Sequence, residues 1–563
     1  MFKKSKKPEN DNPKRLSGLQ LIKMAIGGAA NLRSNAEEVN KLNVFPVPDG
    51  DTGDNMRMTI ESGIAAIENL NTDDLAEVMK VFSHGMLLGA RGNSGVILSQ
   101  FFAGIAKGFE NAEEADPETL GNALQLGVKQ AYTSVMTPTE GTILTVAREA
   151  VEYAVEHINE ESTIRTFFAD LVKEMHRSLD RTPEILTVLK EAGVVDSGGA
   201  GLLHIMEGFN RVLNGEEVED SAPIAAPSKP AVDVTAFGPD SEMTYGYCTE
   251  LLVQLTRKKT DVDAFDIEPL KEFLMSIGDS VVCFKTETIV KLHVHTLTPD
   301  KVLAYCLQFG EFLTIKIENM SVQHSELDDK AAAPAEKAPA EKKKYGIVEV
   351  CIGKGIESLF RDFGTDVIVE GGQTQNPSTN DFLDAFAKVN AEHIFVFPNN
   401  GNILMAAQQA AELYDKAEVH VIPSKSIGTG YVALSCIDFD APSADDIIAA
   451  IKEAMSRVST GYVSPSIRKA DINGVHINKG DTIGIVDKQI VLSERERAVA
   501  AEALAARLLA LPDKFMLTVF CGKDATEEER NALNEALTAA HPSAEIYFID
   551  GGQDIYPYIF VAE

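Results

Sequence analysis

The chain has 563 residues, too many for one hydrophobic core, and should divide into about three domains. Its hydrophobic fraction of 44% suits a globular protein, and no apolar run is long enough to cross a bilayer. A net charge of -33 argues against nucleic acid as a partner, because phosphate backbones are bound by basic surfaces.

The basic start, MFKKSKKPENDNPKR, has no apolar stretch or cleavage site behind it and reads as a frayed tail, not an export signal. Up to residue 213 the pattern is helical. Leu19, Ile22 and Ile26 recur at helical spacing, as do the apolar positions of SGVILSQFFAGIAKGF and TILTVAREAVEYAVEH. Four polar, Gly-rich turns, PDGDTGDN, GARGNSG, TPTEGT and DSGGAG, each run directly into a helix. A helix start presents unpaired N–H groups and a positive dipole end, which suits phosphate. One such turn is ordinary capping; four in one domain suggest a common site.

The first turn carries Asp49, Asp51 and Asp54 within six residues. An exposed acidic turn is one reading, since Asp-Gly pairs favour turns. A cation site is the other. A calcium EF-hand fails, because the required central Gly falls on Asp54 and the closing Glu on Ile60. Magnesium fits better, being commonly shared between a few carboxylates and substrate phosphates.

Residues 214–239 and 327–344 have the Pro/Ala/charged composition of linkers, the second being LDDKAAAPAEKAPAEKKK with its flanks. Between them, residues 240–326 alternate like strands (YGYCTELLVQL, SVVCF, IVKLHVHTL) around the helical EPLKEFLMSIG, predicting a small α+β domain. His293 and His295 lie two apart on one strand and therefore share a face. With Cys248 as a third ligand and His324 near, zinc would accept the set; core and surface residues without a metal are the alternative. The six cysteines, Cys248, Cys283, Cys306, Cys351, Cys436 and Cys521, form no CxxC pair, which fits a reducing cytoplasm without disulfides.

From residue 345 to 563, short apolar strands (YGIVEVCIG, DVIVEGG, HIFVFPNN, VHVIPSK) alternate with helical patterns, predicting an α/β domain with a mainly parallel sheet. VIVEGGQTQNP at 367 is echoed by YFIDGGQDIYP at 547, each a strand entering Gly-Gly-Gln. No Walker A sequence is present, since Gly353-Lys354 and Gly522-Lys523 lack the upstream Gly and the following Ser/Thr.

NVFPVPDGDTGDNM, GARGNSGVILSQ, TPTEGTILTVAREA and LKEAGVVDSGGAGLL resemble the four signature segments of the DhaL-like nucleotide domain of dihydroxyacetone kinases. With GYCTE, KLHVHT, KIENMSVQH, EGGQTQNPST, FPNNGNI and IPSKSIGTG, the whole chain is similar to the A subunits of bacterial fatty acid kinases. The resemblance implies an all-helical barrel holding MgATP in the first 213 residues, with magnesium on Asp49, Asp51 and Asp54. It implies nucleotide contacts from Asn55, from the Asn93-Ser94-Gly95 phosphate loop, from Thr139 and Thr142, and from the turn holding Asp196 and Gly198. Arg181 is the candidate cation on the transferred phosphate, a surface arginine being the alternative. A zinc on Cys248, His293 and His295 would be structural or lie at a contact of the homodimer that the family suggests.

The C-terminal part resembles the DegV-type fold of fatty-acid-binding B subunits. Its Gly372-Gln373-Thr374 and Ser424-Lys425-Ser426 loops end strands, where α/β domains tend to bind ligands. Docking of a separate carrier is favoured over storage of lipid in this chain. The implied activity is ATP-dependent phosphorylation of a fatty acid presented by a DegV-like carrier protein, giving acyl phosphate for phospholipid synthesis. A fatty acid carboxylate is already ionised at neutral pH and needs no general base, whereas a hydroxyl does. The rivals are a kinase of a small dihydroxyacetone-like metabolite and a non-catalytic, nucleotide-sensing, lipid-binding scaffold.

Overall fold

The computed structural model describes residues 14–43, 50–135, 137–216, 247–262, 264–286, 288–319, 342–372, 375–466, 469–472, 474–487 and 489–563. Two compact units result, one from Met1–Ile224 together with Lys342–Glu563, the other from Ala225–Glu341.

The first segment is helical: α1 (Gly18–Leu42), α2 (Thr52–Ile67), α3 (Leu75–Leu88), α4 (Gly92–Gly108), α5 (Pro117–Thr133), α6 (Ile143–Glu156), α7 (Ile164–Ile185), α8 (Thr187–Ala192) and α9 (Ser197–Leu213), with a two-residue antiparallel pair, β1 (Leu16–Ser17) and β2 (Glu114–Ala115). Local chemistry starts several of them. Asp74 and Asp116 accept from Glu77 N and Thr119 N, and Thr163 forms a capping box with Thr166. Each helix packs on its neighbours in order from α1 to α7, α7 packs on α9, and α9 closes the ring against α1. The expected helical barrel is therefore present.

Its interior is filled by aromatic rings, with Phe82–Phe102, Phe102–Phe209 and Phe168–Phe209 centroids 5.4, 6.4 and 6.1 Å apart. Each such ring contributes roughly 1.5–3 kcal/mol by burial. Closure depends on small residues where α1 crosses α9. A Cβ on Gly208 would stand 2.4 Å from Gly27 O and 2.6 Å from Gly28 Cα.

The middle unit is an antiparallel sheet of β3 (Tyr247–Leu255), β4 (Gly278–Thr286), β5 (Ile289–Thr296) and β6 (Gly310–Asn319) in the order β4-β5-β3-β6. The helices α10 (Glu268–Ile277) and α11 (Pro299–Cys306) bury Leu270, Leu274, Val302 and Cys306 with Leu251, Val253, Leu292 and Val294 of the sheet. This is the α+β domain expected.

The C-terminal segment begins with β7 (Lys343–Cys351), α12 (Lys354–Asp362), β8 (Val367–Glu370), α13 (Thr379–Lys388), β9 (Ala391–Phe397), α14 (Leu404–Leu413) and β10 (Glu418–Val421). These strands form a parallel sheet in the order β10-β9-β7-β8, and Ile394–Phe397 of β9 are wholly buried, as in a sheet covered on both faces. After α15 (Ile427–Ser435) and α16 (Ala444–Ser456) come β11 (Ser459–Pro465), the hairpin β12 (Ala470–Ile472) and β13 (Val475–Ile477), β14 (Thr482–Val486), β15 (Gln489–Glu494), α17 (Arg497–Leu509), β16 (Met516–Cys521), α18 (Glu527–Ala540), β17 (Glu545–Asp550) and β18 (Tyr558–Ala562).

The second sheet, β15-β14-β11-β18-β16-β17, is antiparallel except for the β16–β17 pair. The expectation of a mainly parallel sheet thus holds for the first half only. β14 ends at Val486 and the antiparallel β15 begins at Gln489, so this connection leaves no room for a crossover helix. The Gly-Gly-Gln echo is structural. β8 and β17 are edge strands of their two sheets, each paired in parallel with its neighbour.

The helical and α/β segments share a core. Ala90 and Val96 are buried with Val348, Val350, Phe382 and Ala406. Across this seam, Gln409 Nε2 donates to Leu87 O (2.7 Å), Gln100 Nε2 to Gln409 Oε1 (2.9 Å) and Thr379 N to Ala90 O (3.2 Å). Among the described residues no helix is long and apolar enough to cross a membrane.

Because the α1–α9 crossing has no room for another carbon, Gly208→Ala should destabilise the barrel by about 1–3 kcal/mol. Calorimetry should show its unfolding midpoint lowered by several degrees; an unchanged midpoint would show that the crossing is loose.

Candidate active site

Four helix starts meet at one cavity of about 280 Å3. Its lining includes Asp51, Thr52 and Asn55 from the start of α2, Asn93, Ser94 and Ile97 from α4, Thr142, Ile143 and Leu144 from α6, and Asp196, Ser197 and Gly198 from α9. The four Gly-rich turns noted in the sequence therefore do converge.

Segment 44–49 lies outside the described residues, so Asp49 is not placed. Beyond it, Asp51 stands at the N-cap of α2 without capping it. Asn40 does that work from the end of α1: its Oδ1 accepts from Gly53 N (2.7 Å) and Asp54 N (3.3 Å). Asn40 Nδ2 also donates to Asp54 Oδ2 (2.7 Å), while Arg57 pairs with Asp54 Oδ1 (3.2 Å). Asp51 therefore lines the cavity, whereas Asp54 is held by Asn40 and Arg57 beside it.

Asn93 and Ser94, expected in a phosphate loop, line the cavity at the start of α4, which has no side-chain cap. Gly92 enters this turn at φ +58°, and a Cβ there would lie 2.7 Å from Asn55 Nδ2, so only glycine lets α4 approach α2 this closely. Gly95 lies one turn deeper against Thr59, whose Oγ1 would be 2.4 Å from a Cβ. The amide oxygen of Asn93 is buried and has no hydrogen-bond partner among the described residues.

On the far side stand Thr139 and Thr142, with Thr142 Oγ1 donating to Thr139 O (2.7 Å), and α6 starts without a side-chain cap. Ser197 Oγ and Thr52 Oγ1 lie 3.2 Å apart, joining the starts of α9 and α2. Asp196 caps α9 by accepting from Gly199 N (2.7 Å). Burial pushes its carboxyl up to about 6, against the N–H groups of Gly199, Ile143 and Gly198, which favour the charged form. Arg181 does not line the cavity. It sits in an ion cluster with Glu149 (2.6 Å) and Glu174 (3.6 Å).

The described lining contains no Lys or Arg. Its donors are carboxylate, hydroxyl and amide oxygens with backbone N–H groups, a hard-oxygen set that suits magnesium and not zinc. Asp51 and the unpartnered amide oxygen of Asn93 fit a hydrated cation beside bound phosphates.

Two residues from the distant α/β segment join the site without any sign from their own motifs. Asn376 Nδ2 donates to Asp51 Oδ2 (2.6 Å), and Asn402 Oδ1 accepts from Asn93 Nδ2 (3.2 Å), with Asn402 part of the cavity wall. The fragments EGGQTQNPST and FPNNGNI contain both, but only the fold brings them here.

Elsewhere, β3 and β5 pair so that Cys248 is directly opposite His295, and Glu250 opposite His293. His324 lies outside the described residues, as do Gln373 and Thr374. Among the described residues, the one set of candidate ligands with converging atoms is His393, Glu418 and His420, on the paired strands β9 and β10. In the C-terminal segment a cavity of about 60 Å3 lies between the two Gly-Gly-Gln turns, lined by Gly371, Gly372, Asn399, Asn400, Gln553 and Tyr556 among others. Ser424 is buried and contributes no wall to it, its Oγ accepting from Asn399 N (3.0 Å).

Family models match three stretches: the DAK2 domain at residues 46–211, the FakA-like (fatty acid kinase) middle domain at 244–327, and the FakA-like C-terminal domain at 346–563. Protein YloV of Bacillus subtilis (strain 168) is 41% identical over 559 residues, covering 97% of this chain and 99% of that one. The chain belongs to the FakA-like family of fatty acid kinase proteins. A Staphylococcus aureus (strain USA300) protein is 39% identical, covering 98% of this chain and 100% of its own length. Among solved structures, a DegV family protein from Corynebacterium glutamicum is similar at 14% identity and TM-score 0.30, over 40% of this chain and 97% of that one. The dihydroxyacetone kinase from C. freundii in complex with AMP-PNP and Mg2+ is similar at 16% identity and TM-score 0.29, over 38% and 37% of the two chains. The DAK2 and FakA-like matches support a kinase related to fatty acid kinase.

Asp196 yields a pH dependence for the fold. Its ordinary value is 3.8 and its folded value about 6, so its burial leaves stability intact below the first and erodes it as pH rises through the second. Asn at this position can cap α9 equally well. Asp196→Asn should therefore flatten the loss of stability between those two pH values; urea midpoints that fall in parallel for both proteins would contradict this.

Proposed function

We propose that this protein transfers the γ-phosphoryl group of ATP to the carboxylate of a fatty acid presented by a separate carrier protein, giving acyl phosphate and ADP. The observation that carries the reading is the convergence of four helix starts with Asp51 on one cavity that no described lysine or arginine lines. Uncapped N–H groups at α4, and those at α6 beyond the Ile143 N–H that Asp196 accepts, suit anionic phosphates, while Thr139, Thr142 and Ser197 offer hydroxyls to orient them. Bound magnesium would supply charge neutralisation between the phosphates. Asp51 is the described carboxylate placed to hold it, with Asp49 and Asp54 its proposed partners.

The transfer itself asks little of the protein beyond alignment and charge. One carboxylate oxygen forms a bond to the γ-phosphorus as the bond from phosphorus to the β–γ bridging oxygen breaks, and no proton moves. That balance matches a cavity whose titratable described residues, Asp51 and Asp196, are both carboxylates. An alcohol acceptor would need one of them as a base. Arg181 would reach the transferred group only by leaving Glu149, which places it second to the helix starts.

The C-terminal segment is proposed to dock the carrier. Its 60 Å3 cavity has room for roughly four waters and is too small for a long acyl chain. A structural zinc on Cys248, His293 and His295, and a homodimer built through the middle unit, complete the proposal; the strand register that sets Cys248 beside His295 supports the first.

ATP consumption should require fatty acid and carrier together, and Asp51→Ala should lower it by at least about two orders of magnitude with the circular dichroism spectrum unchanged. Turnover of a triose without carrier, or nucleotide binding with no turnover on either acceptor, would overturn the assignment. Metal analysis of purified protein should find about one zinc per chain, lost in Cys248→Ser; under a tenth of an equivalent removes the middle-unit site.

A further inference from the structure

We propose that the metal–nucleotide site is shared between the two ends of the chain, with Asn376 of the α/β segment acting as a positioning residue for Asp51. The inference deepens the kinase reading and rests on it.

Asn376 is 3% exposed, and its amide donates to Asp51 Oδ2 at 2.6 Å across 325 residues of sequence. The choice of an amide matters. A lysine or arginine would orient the same carboxylate but cancel its charge, whereas asparagine fixes the orientation and leaves the charge for a cation. The amide oxygen of Asn376 is itself buried and has no hydrogen-bond partner among the described residues. A polar atom so placed is costly if its only purpose is to pack two segments together.

The backbone around Asn376 is held from the other side. Arg91, two residues before Asn93, donates to Asn376 O (2.8 Å), pairs with Asp381 (3.4 Å) and forms a β-bridge to Ser378. Ser378 in turn caps α13 through a box with Asp381. Asn402 completes the seam by accepting from Asn93 within the phosphate loop. The α/β segment thus grips both the metal-binding carboxylate and the phosphate-binding turn. Partners behind a metal ligand typically change affinity by about 10–100-fold when removed.

The test compares full-length protein, Asn376→Ala and Gln409→Ala, the last removing a seam contact away from the cavity. Manganese, a paramagnetic stand-in for magnesium, is titrated with AMP-PNP present and followed by electron paramagnetic resonance; metal-free AMP-PNP binding is followed by calorimetry. Asn376→Ala should weaken manganese binding by about ten-fold or more while metal-free nucleotide binding and the thermal midpoint hold, and Gln409→Ala should leave manganese binding unchanged. Equal manganese affinity in wild type and Asn376→Ala, or equal losses in both variants, would reduce Asn376 to a packing contact and overturn the inference. Should Asn376→Ala fail to fold, Asn376→Ser, whose hydroxyl is too short to replace the amide contact, is read in the same way. Wild-type protein that binds no manganese–AMP-PNP would overturn the kinase reading itself, an outcome distinct from equal binding by both.

Discussion

Backbone donors at helix starts need acceptors, and the architecture of the first segment follows from where it finds them. At α3, α5 and α7, whose first residues do not line the cavity, the sequence supplies Asp74, Asp116 and Thr163. At α4 and α6 the N-cap residues Arg91 and Thr142 leave the helix uncapped, only Asp196 reaching Ile143 N from α9, and both starts face the cavity. The barrel must close for these starts to meet, so the glycine crossing of α1 over α9 and the tight entry at Gly92 serve the same end. Packing brings four positive dipole ends to one cavity, an arrangement that suits an anion.

Charge explains why a cation belongs there as well. The chain carries -33 net charges and adds no basic side chain to the described cavity wall. Two unit charges 4 Å apart repel by about 4 kcal/mol at an effective dielectric of 20. A triphosphate beside Asp51, approached by an anionic carboxylate, multiplies that cost. Helix dipoles offset part of it, and the remainder calls for mobile positive charge delivered with the nucleotide. The proposed carboxylate acceptor would then gain twice, since it needs no base and would benefit most from neutralised phosphates.

How much of this was legible in the sequence depended on the range of the interaction. Capping and phosphate-turn chemistry is local, so PDGDTGDN, GARGNSG, TPTEGT and DSGGAG pointed to a shared site from their composition alone, and Asn55, Asn93, Ser94, Thr139, Thr142, Asp196 and Gly198 do meet at one cavity or its wall. Strand alternation likewise announced the middle sheet and the parallel half of the C-terminal segment. The engagement of Asp54 by Asn40 and Arg57 was hidden, because it depends on how α1 ends against α2. The antiparallel second sheet was hidden in apolar runs too short to reveal direction. Asn376 and Asn402 were hidden most deeply, since nothing in the periodicity of either segment says that residues more than 300 apart will touch.

That last contact changes what the C-terminal segment is for. Two of its loops do double service. Gly371 and Gly372 line its own small cavity, and Asn376, four residues on, holds Asp51; Asn399 and Asn400 line the same cavity, and Asn402 holds Asn93. The loops are tied to each other by Asn400 Nδ2 donating to Gly372 O (3.1 Å), while Asn400 Oδ1 accepts from Asn402 N (2.9 Å) within its own loop. A partner that pressed on the C-terminal cavity would therefore act on loops that also reach Asp51 and Asn93. If the acceptor arrives on another molecule, as proposed, that arrangement would let the site register the arrival. The same physical seam that welds the two segments into one unit would then couple the proposed docking to the proposed phosphoryl transfer.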